Sequence, residues 1–249
     1  MQARYNTNAY LQLIRQISRL HASSDISLRP SQLGYGLGSS SLDGIGELLK
    51  YAERANIMTW IEGLNPNELR YAIDIAESHK TKFLGVELPA FEVAVGTAYK
   101  KLKKLKLPLK ISTYEYENKG RQPGVEDMKA GRLRRSANTV EKSLDQRWFN
   151  SLCRIASSYV LRLSSSDDKL AYRILRREKM AKGRLNLEVL FGYSQKRVRK
   201  LVKDNINVSI YIPYGRDWVP YAISRLTEGH IRDIAVAILD GEQRKEKQA

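Results

Sequence analysis

Residues 208–229, VSIYIPYGRDWVPYAISRLTEG, read as a buried strand, a tight turn and the start of a helix. Six groups in or beside that turn are polar or charged: Tyr211, Tyr214, Arg216, Tyr221, Arg225 and Glu228. Their spacing is that of side chains gathered around a pocket. A strand that runs straight into a helix is half of a βαβ unit, and the same unit recurs upstream.

Working outward, strand-length apolar runs alternate with helical patterns. Strands are expected at 25–30 (DISLRP), 57–63 (IMTWIEG), 82–90 (KFLGVELPA), 107–116 (LPLKISTYEY), 159–167 (YVLRLSSSD), 185–192 (LNLEVLFG) and 207–215 (NVSIYIPYG). Helices are expected between them. One opens on Asn65 as a cap with Pro66 at its first position. Seven strands in regular alternation, preceded by a helix (NAYLQLIRQISRL), predict parallel strands in a barrel or a doubly wound sheet. No G-x-G-x-x-G follows the first strand, which weakens the dinucleotide-binding sheet. The expected organisation is one barrel domain over residues 1–239 and a charged tail over 240–249.

The chain of 249 residues suits a single α/β barrel. No run approaches 18 apolar residues, and the N-terminus MQARYNTNAY has no secretory apolar core. A lone cysteine, Cys153, excludes an internal disulfide and fits a reducing compartment, so the expected location is the cytoplasm. The net charge of +16 is lopsided: residues 100–203 hold 28 of the 43 Lys and Arg but 10 of the 27 acids. Such a local excess draws polyanions, nucleic acids above all.

The stretch YIPYG with YAISRLTE resembles the proline dehydrogenase family, flavin-dependent (β/α)₈ barrels whose last strand carries Y-x-P-x-G and whose last helix carries Y-x-x-R-R-x-x-E. Tyr211, Tyr221, Arg225 and Glu228 match, while Ser224 replaces one of the two arginines that hold the substrate carboxylate. Other strands are similar in order: DISLRPSQLG with Arg29 at the family's lysine, TWIEG with Trp60 at an aspartate and Glu62 retained, and LGVELPAF with Pro89 at a flavin-contacting glutamine. LKISTYEYEN is similar to R-L-V-K-G-A-Y, with Lys110 for the arginine, Thr113 for the lysine and Tyr116 retained. Ser166 stands at the family's histidine and Glu188 at a glutamine. The resemblance spans residues 8–235 and implies a TIM-like α/β barrel in which the family's first strand has no counterpart.

Arg29, Glu62, Lys110, Tyr116, Tyr211, Tyr221, Arg225 and Glu228 are therefore read as remnants of a substrate pocket. The carboxylate clamp has lost one fork, and a serine donates one neutral hydrogen bond of ~1 kcal/mol against ~1.5–3 kcal/mol for a charged one. Pro89 offers neither amide nor N–H, and Trp60 is expected to fill part of the pocket. The resulting expectation is a pseudoenzyme with no catalytic residues and no cofactor; the alternative is a divergent FAD-dependent dehydrogenase of proline or another imino acid. No His/Cys cluster has metal-ligand spacing, since His21, His79 and His230 are scattered.

The basic runs supply the leading functional expectation. Lys100, Lys103 and Lys104 ring one helical face; Arg132, Arg134 and Arg135 sit in an irregular stretch; Arg176, Arg177, Lys196, Arg197, Arg199 and Lys200 belong to two further helices. No sequence-reading module accompanies them, so binding would be directed to the phosphate backbone. RNA or a ribonucleoprotein particle is the expected partner, the ribosome being the sharpest version; an acidic protein or a membrane surface is the third reading.

Overall fold

The computed structural model describes residues 2–34, 41–63, 66–79, 81–89, 97–112, 150, 161–165, 168–178, 185–191 and 193–214. In chain order these form α1 (Gln2–Arg19), β1 (Ile26–Leu28), a 3-10 turn (Pro30–Leu33), α2 (Ser41–Arg54), β2 (Thr59–Glu62), α3 (Pro66–Ser78), β3 (Leu84–Pro89), α4 (Thr97–Leu105) and β4 (Leu109–Ser112). β5 (Leu161–Ser164), α5 (Asp168–Glu178), β6 (Leu185–Leu190), α6 (Gln195–Lys203) and β7 (Asn207–Tyr211) follow. All seven expected strands are present, and their order is the order of the chain.

The chain divides into two compact units, Met1–Leu161 and Arg162–Ala249. In the first, β1–β2, β2–β3 and β3–β4 pair in parallel. In the second, β6 pairs in parallel with β7. β2, β3 and β4 are buried at every position, as parallel strands covered on both faces must be. The helices bury stripes at three- and four-residue spacing: Ile45, Leu48, Leu49 and Ala52 on α2, and Leu69, Ala72, Ile73 and Ala76 on α3.

Helix ends are closed by residues in the left-handed region. Asn56 (φ 55°) follows α2 and Asn205 (φ 58°) follows α6. Both are asparagines, which tolerate this conformation better than other non-glycine residues. The next N–H then reaches back five residues, Ile57 to the Ala52 carbonyl and Ile206 to the Leu201 carbonyl, each at 2.9 Å. That geometry turns the chain directly into β2 and β7.

One close approach organises the interior of the first unit. Trp60 on β2 lies beside Gly85 on β3, and a Cβ at Gly85 would stand 2.4 Å from the indole ring. Gly85→Ala is expected to destabilise the protein by about 1–3 kcal/mol through overpacking. A Trp60→Leu change should recover part of that loss, so a double-mutant cycle in urea would show a coupling energy; additive losses would disprove the contact.

Candidate active site

Side chains alternate along a strand, so register decides which of them meet. Glu62, Glu87 and Lys110 are paired neighbours across β2, β3 and β4. They form one row on one face of the sheet. Lys110 is fully buried (0% exposed), and Glu62 and Glu87 are nearly so. Lys110 Nζ donates to Glu87 Oε2 at 2.7 Å and to Ser27 Oγ at 3.1 Å, and it stands 5.7 Å from the centre of the Trp60 ring. An ammonium has three protons to place. Here a carboxylate, a hydroxyl and an aromatic face receive it, which is what a lysine without water requires.

Arg29, just past β1, extends the cluster. Its Nε and Nη2 both lie 3.2 Å from Glu62 Oε2, and Nε is 3.7 Å from Glu68 Oε1 on α3. Ser31 Oγ donates to Glu68 Oε1 at 2.8 Å. Burial holds the Glu68 carboxyl above its ordinary range, Glu62 adds to the rise, and Ser31 and Arg29 oppose it. From α1, Tyr10 reaches the same corner and donates to Gln32 Oε1 at 3.1 Å. Its hydroxyl is pushed up to about 12, first by burial and then by the Glu62 carboxylate, so it stays protonated.

One row further along β3 and β4, Pro89 pairs with Ser112. Ser112 is buried and its Oγ has no hydrogen-bond partner. It lies toward the C-terminal ends of the strands, the side on which barrel active sites are built. A buried hydroxyl left without a partner costs about 1–3 kcal/mol. A bound molecule with a carbonyl or an N–H edge would satisfy it.

Trp60 is positioned by its neighbours. It sits one row below Glu62, level with Ser27 and Gly85, and its Nε1–H donates to Asp25 at 3.1 Å. Asp25 precedes β1, so the indole is turned toward the N-terminal side of the strands. It forms a floor under Lys110, whose ammonium stands over the ring. In the second unit Arg162 lies 3.7 Å from Glu188, and the Ser165 N–H donates to the Glu188 carbonyl.

The structure thus brings together Arg29, Glu62 and Lys110 from the expected set, and Tyr211 ends β7, half-buried, paired with Leu190. Tyr116, Tyr221, Arg225 and Glu228 lie outside the described residues, as do Arg132, Arg134 and Arg135. Arg177 is in α5, its side chain outside the description. Lys100, Lys103, Lys104, Arg176, Lys196, Arg197, Arg199 and Lys200 are exposed on α4, α5 and α6. Glu87, Glu68, Ser31 and Tyr10 were missed. The signal for Glu87 was a lone acid in an apolar strand; Tyr10 had none, being remote in sequence. Among the described residues there is no metal-ligating group and no helix long and apolar enough to cross a membrane.

No family model matches the chain. Proline dehydrogenase 1 of Bacillus subtilis (strain 168) is 20% identical over 223 residues, covering 86% of this chain and 69% of that protein. Proline dehydrogenase 2 of the same organism is 22% identical over 234 residues, covering 91% and 72%. A bifunctional proline utilization A (PutA) protein matches with a TM-score of 0.71 at 16% identity over 95% of this chain. PutA from Bdellovibrio bacteriovorus, inactivated by N-propargylglycine, matches at 0.64 and 12% identity over 87%. The chain spans 27% of the length of either PutA. These structural likenesses establish an α/β, TIM-barrel-like fold.

The expectation that the protein takes no cofactor is overturned. It rested on replacements at 29, 60, 89, 166 and 224, but the relatives matched are proline dehydrogenases, a flavin-dependent family. The orphaned Ser112 hydroxyl is a group that a flavin edge would satisfy.

Lys110→Met should destabilise the protein by about 3–5 kcal/mol, because Glu87 is left charged and buried. Adding Glu87→Leu should return most of the loss in urea unfolding; no recovery would mean that the pair is not coupled. For Glu68, the raised carboxyl binds more protons folded than unfolded, so its contribution to stability declines as pH rises through the folded value. Glu68→Gln is expected to flatten the stability difference between mildly acidic and neutral pH, measured by thermal melts; an unchanged difference would place that titration elsewhere.

Proposed function

We propose that this proline-dehydrogenase-like chain binds a flavin at the C-terminal ends of its strands and acts as a divergent dehydrogenase of a small amino or imino acid. The observation that carries the reading is the buried, charge-balanced group Arg29–Glu62–Glu87–Lys110 with the unpartnered Ser112 hydroxyl one row above it. A packed apolar interior would be simpler to build, and buried ion pairs are weak as sources of stability. Their usual use is to hold polar groups still for a ligand.

A flavin held there would supply a two-electron acceptor for oxidation of the substrate's carbon–nitrogen bond. The chain's part is binding and orientation. Ser112 offers a hydroxyl to the bound group. Glu87 and Trp60 keep Lys110 in one place beneath it. Glu62 and Glu68 hold Arg29, which remains partly open to solvent. Tyr10, protonated at neutral pH, presents a neutral hydroxyl beside the Glu62 carboxylate.

The purified protein should retain FAD after desalting, with flavin absorbance near stoichiometric and shifted from that of free FAD, and should reduce a dye with proline or another secondary amino acid. Ser112→Ala is expected to lower FAD affinity about 5- to 100-fold, the worth of one buried hydrogen bond. Elution of all flavin with the salt would overturn the reading.

A second reading concerns the outer surface: the protein carries RNA or a ribonucleoprotein, the ribosome among the candidates. It is favoured by the exposure of Lys100, Lys103 and Lys104 on α4 and of the cations on α5 and α6, in a chain of net charge +16. The two readings use different faces and are compatible.

A further inference from the structure

The two described helices of the second unit are striped. On α5, Lys169, Arg173 and Arg176 recur at i, i+4 and i+7 and are all exposed, while Leu170, Ala171 and Ile174 are buried on the opposite side. On α6, Lys196, Lys200 and Lys203 recur at the same spacing, exposed, opposite buried Leu201. Seven residues of helix rise about 10 Å, so the stripes have equal length. Tyr172 binds the helices side by side. Its hydroxyl donates to Asp204 Oδ2 at 2.6 Å at the end of α6, and Lys200 Nζ stands 5.7 Å from its ring centre. These two contacts make the helices neighbours and set the stripes near one another.

A merely solvated helix alternates its signs, and an acid four residues before a base adds support. α6 contains no acid at all. Lys196 above Lys200 and Arg199 above Lys203 are like-charged pairs, each unfavourable by about 0.2–0.5 kcal/mol. Lys196 also sits in the first turn, against the helix dipole. A polyanion laid on the face reverses the sign of each of these terms.

We propose that the α5–α6 face binds the phosphate backbone of double-stranded RNA. The proposal rests on the RNA-binding reading above and locates it. Two neighbouring cationic stripes suit the wide, shallow groove of A-form RNA and the phosphate rows that border it. Along their described lengths the helices offer their sides, which suits that groove better than entry into the ~12 Å major groove of B-DNA. The described tyrosines on and beside them are engaged and do not serve as stacking platforms for single-stranded bases: Tyr172 is held by Asp204 and Lys200, and Tyr193 is buried beneath Arg197.

The test measures binding of the full chain to a labelled RNA duplex by fluorescence anisotropy across a salt series. Two variants with the same net charge are compared: Lys196→Gln/Arg199→Gln/Lys203→Gln on the face, and Arg4→Gln/Lys50→Gln/Arg54→Gln on exposed positions of α1 and α2. All six side chains are exposed, and circular dichroism verifies that both variants fold. The face variant should lose at least ~10-fold in affinity and about 3 units of the slope of log K against log salt, one per phosphate contact removed. The control should stay within about threefold of the parent protein. Equal losses in the two variants would mean that net charge alone acts, and the face would fall. Full binding by the face variant would also overturn the face while leaving RNA binding in place. Failure of the unaltered protein to bind duplex RNA at low salt would sink both, and tighter binding of a DNA duplex or of single-stranded RNA would overturn the choice of ligand.

Discussion

A lysine with no exposed surface, clasped by a glutamate 2.7 Å away inside a parallel sheet, sets the terms for the rest of the first unit. Removing both charges from water costs several kcal/mol per ion, and the pair returns this only if its geometry is good and every remaining donor is met. Ser27 and the Trp60 ring meet them. That demand propagates. Trp60 needs Gly85 to clear its ring and Asp25 to take its N–H. Glu62, next to Glu87 in the row, needs Arg29 as a counter-charge. Arg29 in turn lies between Glu62 and Glu68, and Ser31 steadies the second carboxylate. A slip of one residue in β4 would turn Lys110 toward the covering helices, so the ion pair also defends the register.

The protein keeps its charges in two separate arrangements. Inside the first unit they are close to balanced, in contact and hidden from solvent. On α4, α5 and α6 they are of one sign and exposed. Each follows a different logic. Buried charge is short-ranged and strong, and it orients a small molecule. Surface charge is weak at any one contact and screened over ~8–10 Å at physiological salt, but it sums over a long polyanion. The proposed cofactor site uses the first kind of charge and the proposed nucleic-acid face the second, so neither proposal depends on the other.

The comparison with proline dehydrogenases is instructive at the residues that changed. Read one at a time, Arg29, Trp60 and Pro89 suggest a dismantled flavin site. Read in the structure, Trp60 is turned to Asp25 and lies under Lys110, while Arg29 is gripped by two carboxylates. The direction of the Trp60 ring is not legible from its position in a motif. Its direction depends on neighbours 25 and 85, one on another strand and the other ahead of the first. Glu87 was overlooked for the opposite reason. A single acid among Leu84, Val86 and Leu88 looks like an accident until register sets it against Lys110.

Local chemistry was sufficient for the elements and their order. Apolar runs of strand length, proline opening α3 and asparagines closing α2 and α6 are all short-range features, and they determined seven strands, their parallel sense and the class of fold. The Y-x-P-x-G and Y-x-x-S-R-x-x-E stretches carried the resemblance to proline dehydrogenases, because residues at fixed spacing can be matched without knowledge of contacts. What only the tertiary structure decided is which side chains face one another. Strand register made a row of Glu62, Glu87 and Lys110, the docking of α1 delivered Tyr10 beside it, and Tyr172 tied α5 to the end of α6. The reason is that burial and pairing energies belong to groups tens of residues apart in the chain; they exist only once the sheet has brought those groups within a few ångströms.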